Sequence, residues 1–274
     1  MPVSILFLLM AQSAPTSQPL AAPEALRFSL KVGGDVYVPP RTPPDAERLD
    51  LFVHFHGGAE VIERELDQTS RPGVLITVNF KGLSSAYEKP FAAPQRFQKM
   101  LRETLAELKS RGRAPRRAKW GRVCVSSFSA GFGAVRALLQ AQSNVDRIDA
   151  LVLADTVYAG YAEIDGKRVV NPEHVLPFRR YAERAVAGDK LLVLSHCYLK
   201  PNGYAGTHEA ADALVASLKL QRRTVSETGP GGLRIISRVD EGRFHVYGCA
   251  GDTGEDHGAH LSNLSYWLGK LDWP

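Results

Sequence analysis

The sequence predicts an α/β fold: a mostly parallel central sheet with helices on both faces. Three observations carry that expectation. Short, nearly continuous apolar runs such as Leu49–Phe55 and Ile148–Ala154 have the character of strands buried on both sides. Stretches of helical periodicity separate them, and in residues 94–109 Phe97, Met100, Leu101, Leu105 and Leu108 fall on one face. The two kinds of segment alternate along most of the chain, the order that builds a parallel sheet through crossover helices.

Taken in order, Phe28–Val38 reads as an early strand or hairpin stopped by Pro39-Pro40. Leu49–Phe55 is the next strand and runs into His56-Gly57-Gly58, and Val74–Phe80 follows as another. The helix over Pro94–Lys109 ends at Gly112 and Pro115. Arg122–Ser126 reads as a short buried strand, Ala130–Gln142 as the helix after it, and Ile148–Ala154 as a strand. Residues 156–189 break the alternation. Gly166 and Pro172 mark a loop before a helix through Phe178, Tyr181, Ala182 and Ala185, together a small cap-like insertion after the sixth strand. Leu191–Ser195 resumes the strands and Thr207–Leu218 is helical. Leu233–Arg238 and Arg243–Tyr247 flank the turn Asp240-Glu241-Gly242. A last helix is expected from about Gly258 to Leu271, with Leu261, Leu264, Leu268 and Leu271 on one face.

The 274 residues suffice for one large α/β domain or two small ones. With 44% hydrophobic and 23% charged residues, the composition is that of a globular protein and excludes collagen-like or extensively disordered chains. We assign residues 24–274 to a single domain. Residues 1–23 carry no charge, start with an apolar run too short to span a bilayer, and offer a small-x-small site at Ala11-Gln12-Ser13. They read as a signal-like segment and linker, which implies export to the periplasm or the outside, although the usual N-terminal positive charges are missing. Much of the net charge of +5 sits in residues 109–122. No aromatic interleaving accompanies it, so a solvated loop is expected and no nucleic-acid partner. No integral membrane span is expected, and the sequence is silent on oligomeric state. Cys124, Cys197 and Cys249 are odd in number and lack zinc-site spacing; three free, buried thiols are the expectation over a Cys197–Cys249 disulfide.

The chemistry concentrates in three places. Ser127-Phe128-Ser129-Ala130-Gly131 lies between a strand and a helix, the context of a turn that lifts one side chain out of a sheet and aims backbone N–H groups at it. Ser129 is the candidate nucleophile; the alternative is a plain serine capping the start of the helix. His54-Phe55-His56-Gly57-Gly58 ends an earlier strand, where paired glycines let backbone approach a substrate oxygen. A Gly-rich loop holds His257, followed by His260. Of the carboxylates, Asp155 ends a strand, the Leu191–Ser195 strand ends without one, and Glu209 and Asp212 sit on a helix. Elimination selects Asp155.

The order His56-Gly57-Gly58, Ser127-x-Ser129-x-Gly131, Asp155, His257 resembles the α/β-hydrolase superfamily over about residues 28–271. Ser127 departs from it by standing where the first glycine is usual. The resemblance implies a serine hydrolase, with a carboxylic ester or other acyl compound as substrate and no cofactor. It implies a Ser129–Asp155–His257 triad and an oxyanion hole at the N–H groups of Gly58 and Ala130. His56, Phe128 and His196 are candidates to line the substrate pocket, and His260 is the alternative base. No metal is expected. Two other readings remain: a metal-dependent hydrolase using His54 and His56 with Asp155, His196 and His257, and a non-catalytic binding protein on the same scaffold.

Overall fold

The structure is a computed structural model that describes residues 24–273, so the signal-like segment 1–23 lies outside the described residues. The strands are β1 (Leu26–Ser29), β2 (Asp35–Val38), β3 (Arg48–Phe55), β4 (Val74–Val78), β5 (Lys119–Ser129), β6 (Ala150–Thr156), β7 (Tyr161–Ile164), β8 (Lys167–Val170), β9 (Leu191–His196), β10 (Arg223–Thr228), β11 (Arg234–Glu241) and β12 (Phe244–Cys249). The helices are α1 (Ala59–Gln68), α2 (Ser84–Phe91), α3 (Pro94–Ser110), α4 (Phe132–Leu138), α5 (Gln142–Arg147), α6 (Pro172–Val186), α7 (Thr207–Ser217), α8 (Gly254–Ser262) and α9 (Leu264–Leu268).

Ten strands form one sheet in the order β1-β2-β4-β3-β5-β6-β9-β12-β11-β10. The run from β4 through β3, β5, β6 and β9 to β12 is parallel, and antiparallel strands finish both edges. Alternation of side chains divides the core into two layers. Leu49, Leu51, Val53 and Phe55 of β3, Leu151 and Leu153 of β6, and Leu192 and Leu194 of β9 face α3, α4, α6 and α7. Phe52, Val152, Leu191 and Val193 face the opposite way, toward Ile62 and Leu66 of α1 and Leu264, Trp267 and Leu268 of α9. Both faces of the central strands are therefore covered, which is why their sequences are apolar throughout rather than alternating.

The insertion expected at 156–189 is smaller than its sequence suggests. Asn171 caps α6 by accepting from Glu173 N–H at 3.0 Å, with Pro172 in the first turn. Phe178, Tyr181, Ala182 and Ala185 of this helix are buried in the main core. Thus α6 is the crossover helix between β6 and β9, and only the β7–β8 hairpin projects from the alternation. Helices α1, α2 and α5 and edge strand β10 are additions to the expected elements. Each is short, and β10 is largely polar and exposed, so it has no apolar run to announce it. No described helix is long and apolar enough to cross a membrane. The cysteines are free and buried. Within the basic stretch, Arg111 pairs with Glu107, Arg117 with Glu47 and Arg122 with Asp50.

Candidate active site

The candidate side chains gather at the carboxyl ends of the parallel strands. At the end of β3, His56 takes φ 72° and Gly57 φ 134°, turning the chain sharply before Gly58 caps α1. A Cβ on Gly57 would lie 3.1 Å from Leu261, and its backbone conformation is one that side chains rarely adopt. Buried His54 supports this loop from beneath. Its Nε2–H donates to the His56 carbonyl at 3.0 Å, which leaves Nδ1 to accept from the Ser126 hydroxyl at 2.8 Å. Burial pushes His54 down to about 4, so it is neutral. His56 Nδ1 is 2.7 Å from the Tyr87 hydroxyl, which also accepts from Phe80 N–H at 3.0 Å.

At the end of β5, Ser129 has φ 46°, a left-handed conformation unusual for a non-glycine residue. Gly131 explains how the turn closes: a Cβ there would come within 2.1 Å of the Phe55 carbonyl oxygen on β3. Gly133 meets the Ser84 carbonyl oxygen in the same way, at 2.2 Å. The small Ser127 is buried, with its hydroxyl 3.5 Å from that of Thr156. Helix α4 starts at Phe132, two residues later than expected. The backbone N–H groups of Gly57, Gly58 and Ala130 donate to no acceptor among the described residues.

Asp155 ends the neighbouring strand β6, also left-handed at φ 41°, and is fully buried. Its Oδ1 accepts from Cys197 N–H at 3.0 Å and the Thr207 hydroxyl at 2.5 Å. Its Oδ2 lies 2.8 Å from Cys197 Sγ and 2.6 Å from His257 Nδ1. Burial alone would raise this carboxyl. The hydrogen bond to His257, the nearby His260 and the Cys197 thiol outweigh it and hold Asp155 well below the usual carboxylate range. Burial first, and then the Asp155 charge, push the Cys197 thiol up, so it stays protonated and donates.

His257 lies in the first turn of α8, not in a loop before it. The helix starts at Gly254, and Thr253 and Asp256 form a capping box ahead of the histidine. The His257 ring stacks on Phe128, with centroids 4.4 Å apart. No hydrogen bond joins it to Ser129 among the described residues.

The sheet order, with Gly57-Gly58 after β3, Ser129 after β5, Asp155 after β6 and His257 after β12, settles the architecture. The fold is that of the α/β-hydrolases. Among α/β-hydrolase structures, the chain is similar to a siderophore hydrolase from Aspergillus nidulans at 12% identity, covering 95% of this chain and 99% of that one, TM-score 0.48. It is similar to the feruloyl esterase module from Clostridium thermocellum at 12% identity, covering 95% and 94%, TM-score 0.46. It is also similar to the ferric enterobactin esterase from Salmonella typhimurium at 14% identity, covering 93% of this chain and 59% of that one, TM-score 0.48. No family model matches the sequence, and no curated protein does.

Several expected roles fall elsewhere on this α/β-hydrolase scaffold. His260, the alternative base, is buried. One helical turn beyond His257, it stacks on Trp267 and places Nδ1 2.7 Å from the Ser195 hydroxyl. Glu209 accepts from the Tyr161 hydroxyl and from Gly206 N–H, and Asp212 pairs with Arg222. His54 and His56 do not converge as ligands, because the left-handed turn at His56 breaks the strand alternation and both His54 nitrogens are occupied. Among the described residues, the ligand-type atoms that come together belong to Asp155, Cys197 and His257. They are the hydrogen-bonded set just described.

A cavity of about 340 Å³ opens beside Ser129 and Ala130. None of His56, Phe128 and His196 lines it. His56 and Phe128 stack beside the His257 ring, and buried His196 packs on Tyr198. The lining comes from residues the sequence reading passed over, among them Phe132, Tyr158, His174 and Tyr204.

Proposed function

We propose that this chain is a serine hydrolase that cleaves a carboxylic ester, with Ser129 as nucleophile, His257 as base and Asp155 orienting that base. One observation carries the reading. A buried carboxylate at the end of β6, next to the strained Ser129 turn, holds Nδ1 of an otherwise accessible histidine at 2.6 Å. Because a carboxylate only accepts, Nδ1 carries the proton and Nε2 keeps its lone pair. To serve as base the ring must meet the Ser129 hydroxyl, and such contacts often tighten only with substrate bound.

The reaction follows from these positions. Nε2 takes the Ser129 proton as Oγ bonds to the ester carbon, and the carbonyl electrons move to oxygen. The free N–H groups of Gly58 and Ala130 suit that oxyanion; one such donor contributes ~10²–10³ in rate. Collapse re-forms the carbonyl and expels the alcohol, which leaves with the proton from Nε2. Water then repeats the sequence to release the acid. The uncharged apolar start of the chain adds export as the setting.

A fluorophosphonate probe should label the wild type and not Ser129→Ala, and that variant should lose turnover of p-nitrophenyl acetate. EDTA should leave turnover intact. Near-normal hydrolysis by Ser129→Ala, or loss with EDTA, would overturn the assignment.

A further inference from the structure

We propose that the cavity beside Ser129 is an acyl pocket for a single-ring aromatic acid bearing an uncharged oxygen substituent. This inference rests on the serine-hydrolase reading and specifies its substrate.

Position decides which half of the ester enters. The cavity is lined by Ser129 and Ala130 but not by His257, Gly57 or Gly58. The alcohol receives its proton from His257 and must depart on that side. The part left bonded to Ser129 therefore occupies the cavity. Its volume, about 340 Å³, is at the small end for small-molecule sites and suits one ring with a short arm.

The walls favour a flat ring. Tyr158 stands between Phe132 and Tyr204, with centroids 5.6 Å from each and planes inclined at 52° and 74°. A further ring entering this cluster meets both edges and faces, the arrangement in which aromatic pairs attract. Leu83 and Tyr204 on the lining are 77% and 44% exposed, two of the three exposed large hydrophobic residues among those described. Apolar surface concentrated at one opening lacks a partner until something covers it.

Among the polar side chains of the lining, two nitrogen donors then select among aromatic acids. His174 Nδ1 accepts from Gly160 N–H at 2.9 Å, so the neutral ring carries its proton on Nε2 and can donate. Arg136 binds Glu88 through Nε at 3.2 Å and Nη2 at 2.7 Å, which leaves Nη1 as a second donor. The Arg136–Glu88 pair carries no net charge. Burial, followed by the Arg136 charge, keeps His174 low and neutral. Donors without net charge match a hydroxyl or ether oxygen. A second carboxylate would find no uncompensated cation, and a plain alkyl chain would leave the donors without acceptors.

The test compares methyl para-hydroxyphenylpropanoate, methyl phenylpropanoate and methyl nonanoate, which share their leaving group and their acyl carbon count. The expected order of kcat/KM is the order given, with each step ~10-fold: the first because a hydrogen-bonding site discriminates against an analogue lacking the oxygen, the second because only a ring packs on the aromatic walls. His174→Ala should bring the ratio of the first two substrates toward one, and His174→Gln, which keeps a donor, should restore part of it. Methyl nonanoate turned over as well as the aryl esters, or a ratio indifferent to both variants, would overturn the pocket assignment. Ser129-dependent hydrolysis of p-nitrophenyl acetate alongside either result would leave the hydrolase reading standing. Absence of that hydrolysis together with absence of fluorophosphonate labelling would remove both.

Discussion

Asp155 has more to satisfy than the orientation of one histidine. Two donors reach each of its oxygens: Cys197 N–H and Thr207 at Oδ1, Cys197 Sγ and His257 at Oδ2. Asp155→Asn should cost ~10⁴ in rate by spoiling the tautomer of His257. It should also lower the melting temperature, since an amide nitrogen would face donors at a fully buried position. Kinetics and a thermal melt on the same preparation check both effects. His257→Ala should lose activity yet keep its melting point, because Asp155 retains three donors. His260→Ala should do the reverse, opening a hole under Trp267 and freeing the Ser195 hydroxyl. Asp155 and Ser129 were legible because strand ends can be read from a linear pattern. Cys197 and Thr207 were not, since nothing local marks a residue as the partner of a carboxylate some forty to fifty positions earlier. His260 could be separated from His257 only by the register of α8.

At the scale of elements, the first turn of α8 is fixed by its cap and carries His257, the proposed base. Thr253 Oγ accepts from Asp256 N–H at 3.1 Å, and Asp256 accepts from Thr253 N–H at 2.9 Å. Thr253→Ala should cost ~1 kcal/mol in a denaturant titration and reduce kcat, as the turn carrying the proposed base frays. The Thr-x-x-Asp signature was present in the sequence. Gly254 and Gly258 pulled the expected start of the helix four residues too far along. The Ser129 turn makes a sharper contrast. Gly131→Ala should prevent correct folding, because its methyl would occupy the Phe55 carbonyl, whereas Ser127→Gly should fold and hydrolyse ester normally. Circular dichroism with an esterase assay distinguishes the two. The insertion was overestimated for a related reason: Gly166 and Pro172 break the pattern, but Asn171-Pro172 is the start of a sheet-covering helix.

For the whole molecule, burial of histidines makes stability depend on pH. His54 is pushed down to about 4 and His196 to about 3 by burial, and His260 is lowered for the same reason. Their neutral forms are favoured in the folded state, while the unfolded chain takes up protons below ~6.5. The associated stability is fully present above that value and is lost as pH falls toward the folded pKa values. Urea titrations at about pH 7.5 and pH 4.5 should therefore give unfolding free energies that differ by several kcal/mol, with the acid sample weaker and its midpoint lower. Equal midpoints would mean that these imidazoles can charge in place. The central strands, though not their order in the sheet, were legible because doubly covered strands are apolar throughout. The edges were less so, because an edge strand needs no such run. Strand β10 closes the sheet with Arg223 and Glu227 paired to Asp240 and Arg238 on β11, and a register shift between Thr224 and Glu227. A second copy approaching this border meets charge and a broken ladder instead of a flat apolar template. This border of the sheet is thus guarded against strand-by-strand growth into fibres, and valine at both Arg223 and Glu227 should make a concentrated solution scatter more light than wild type.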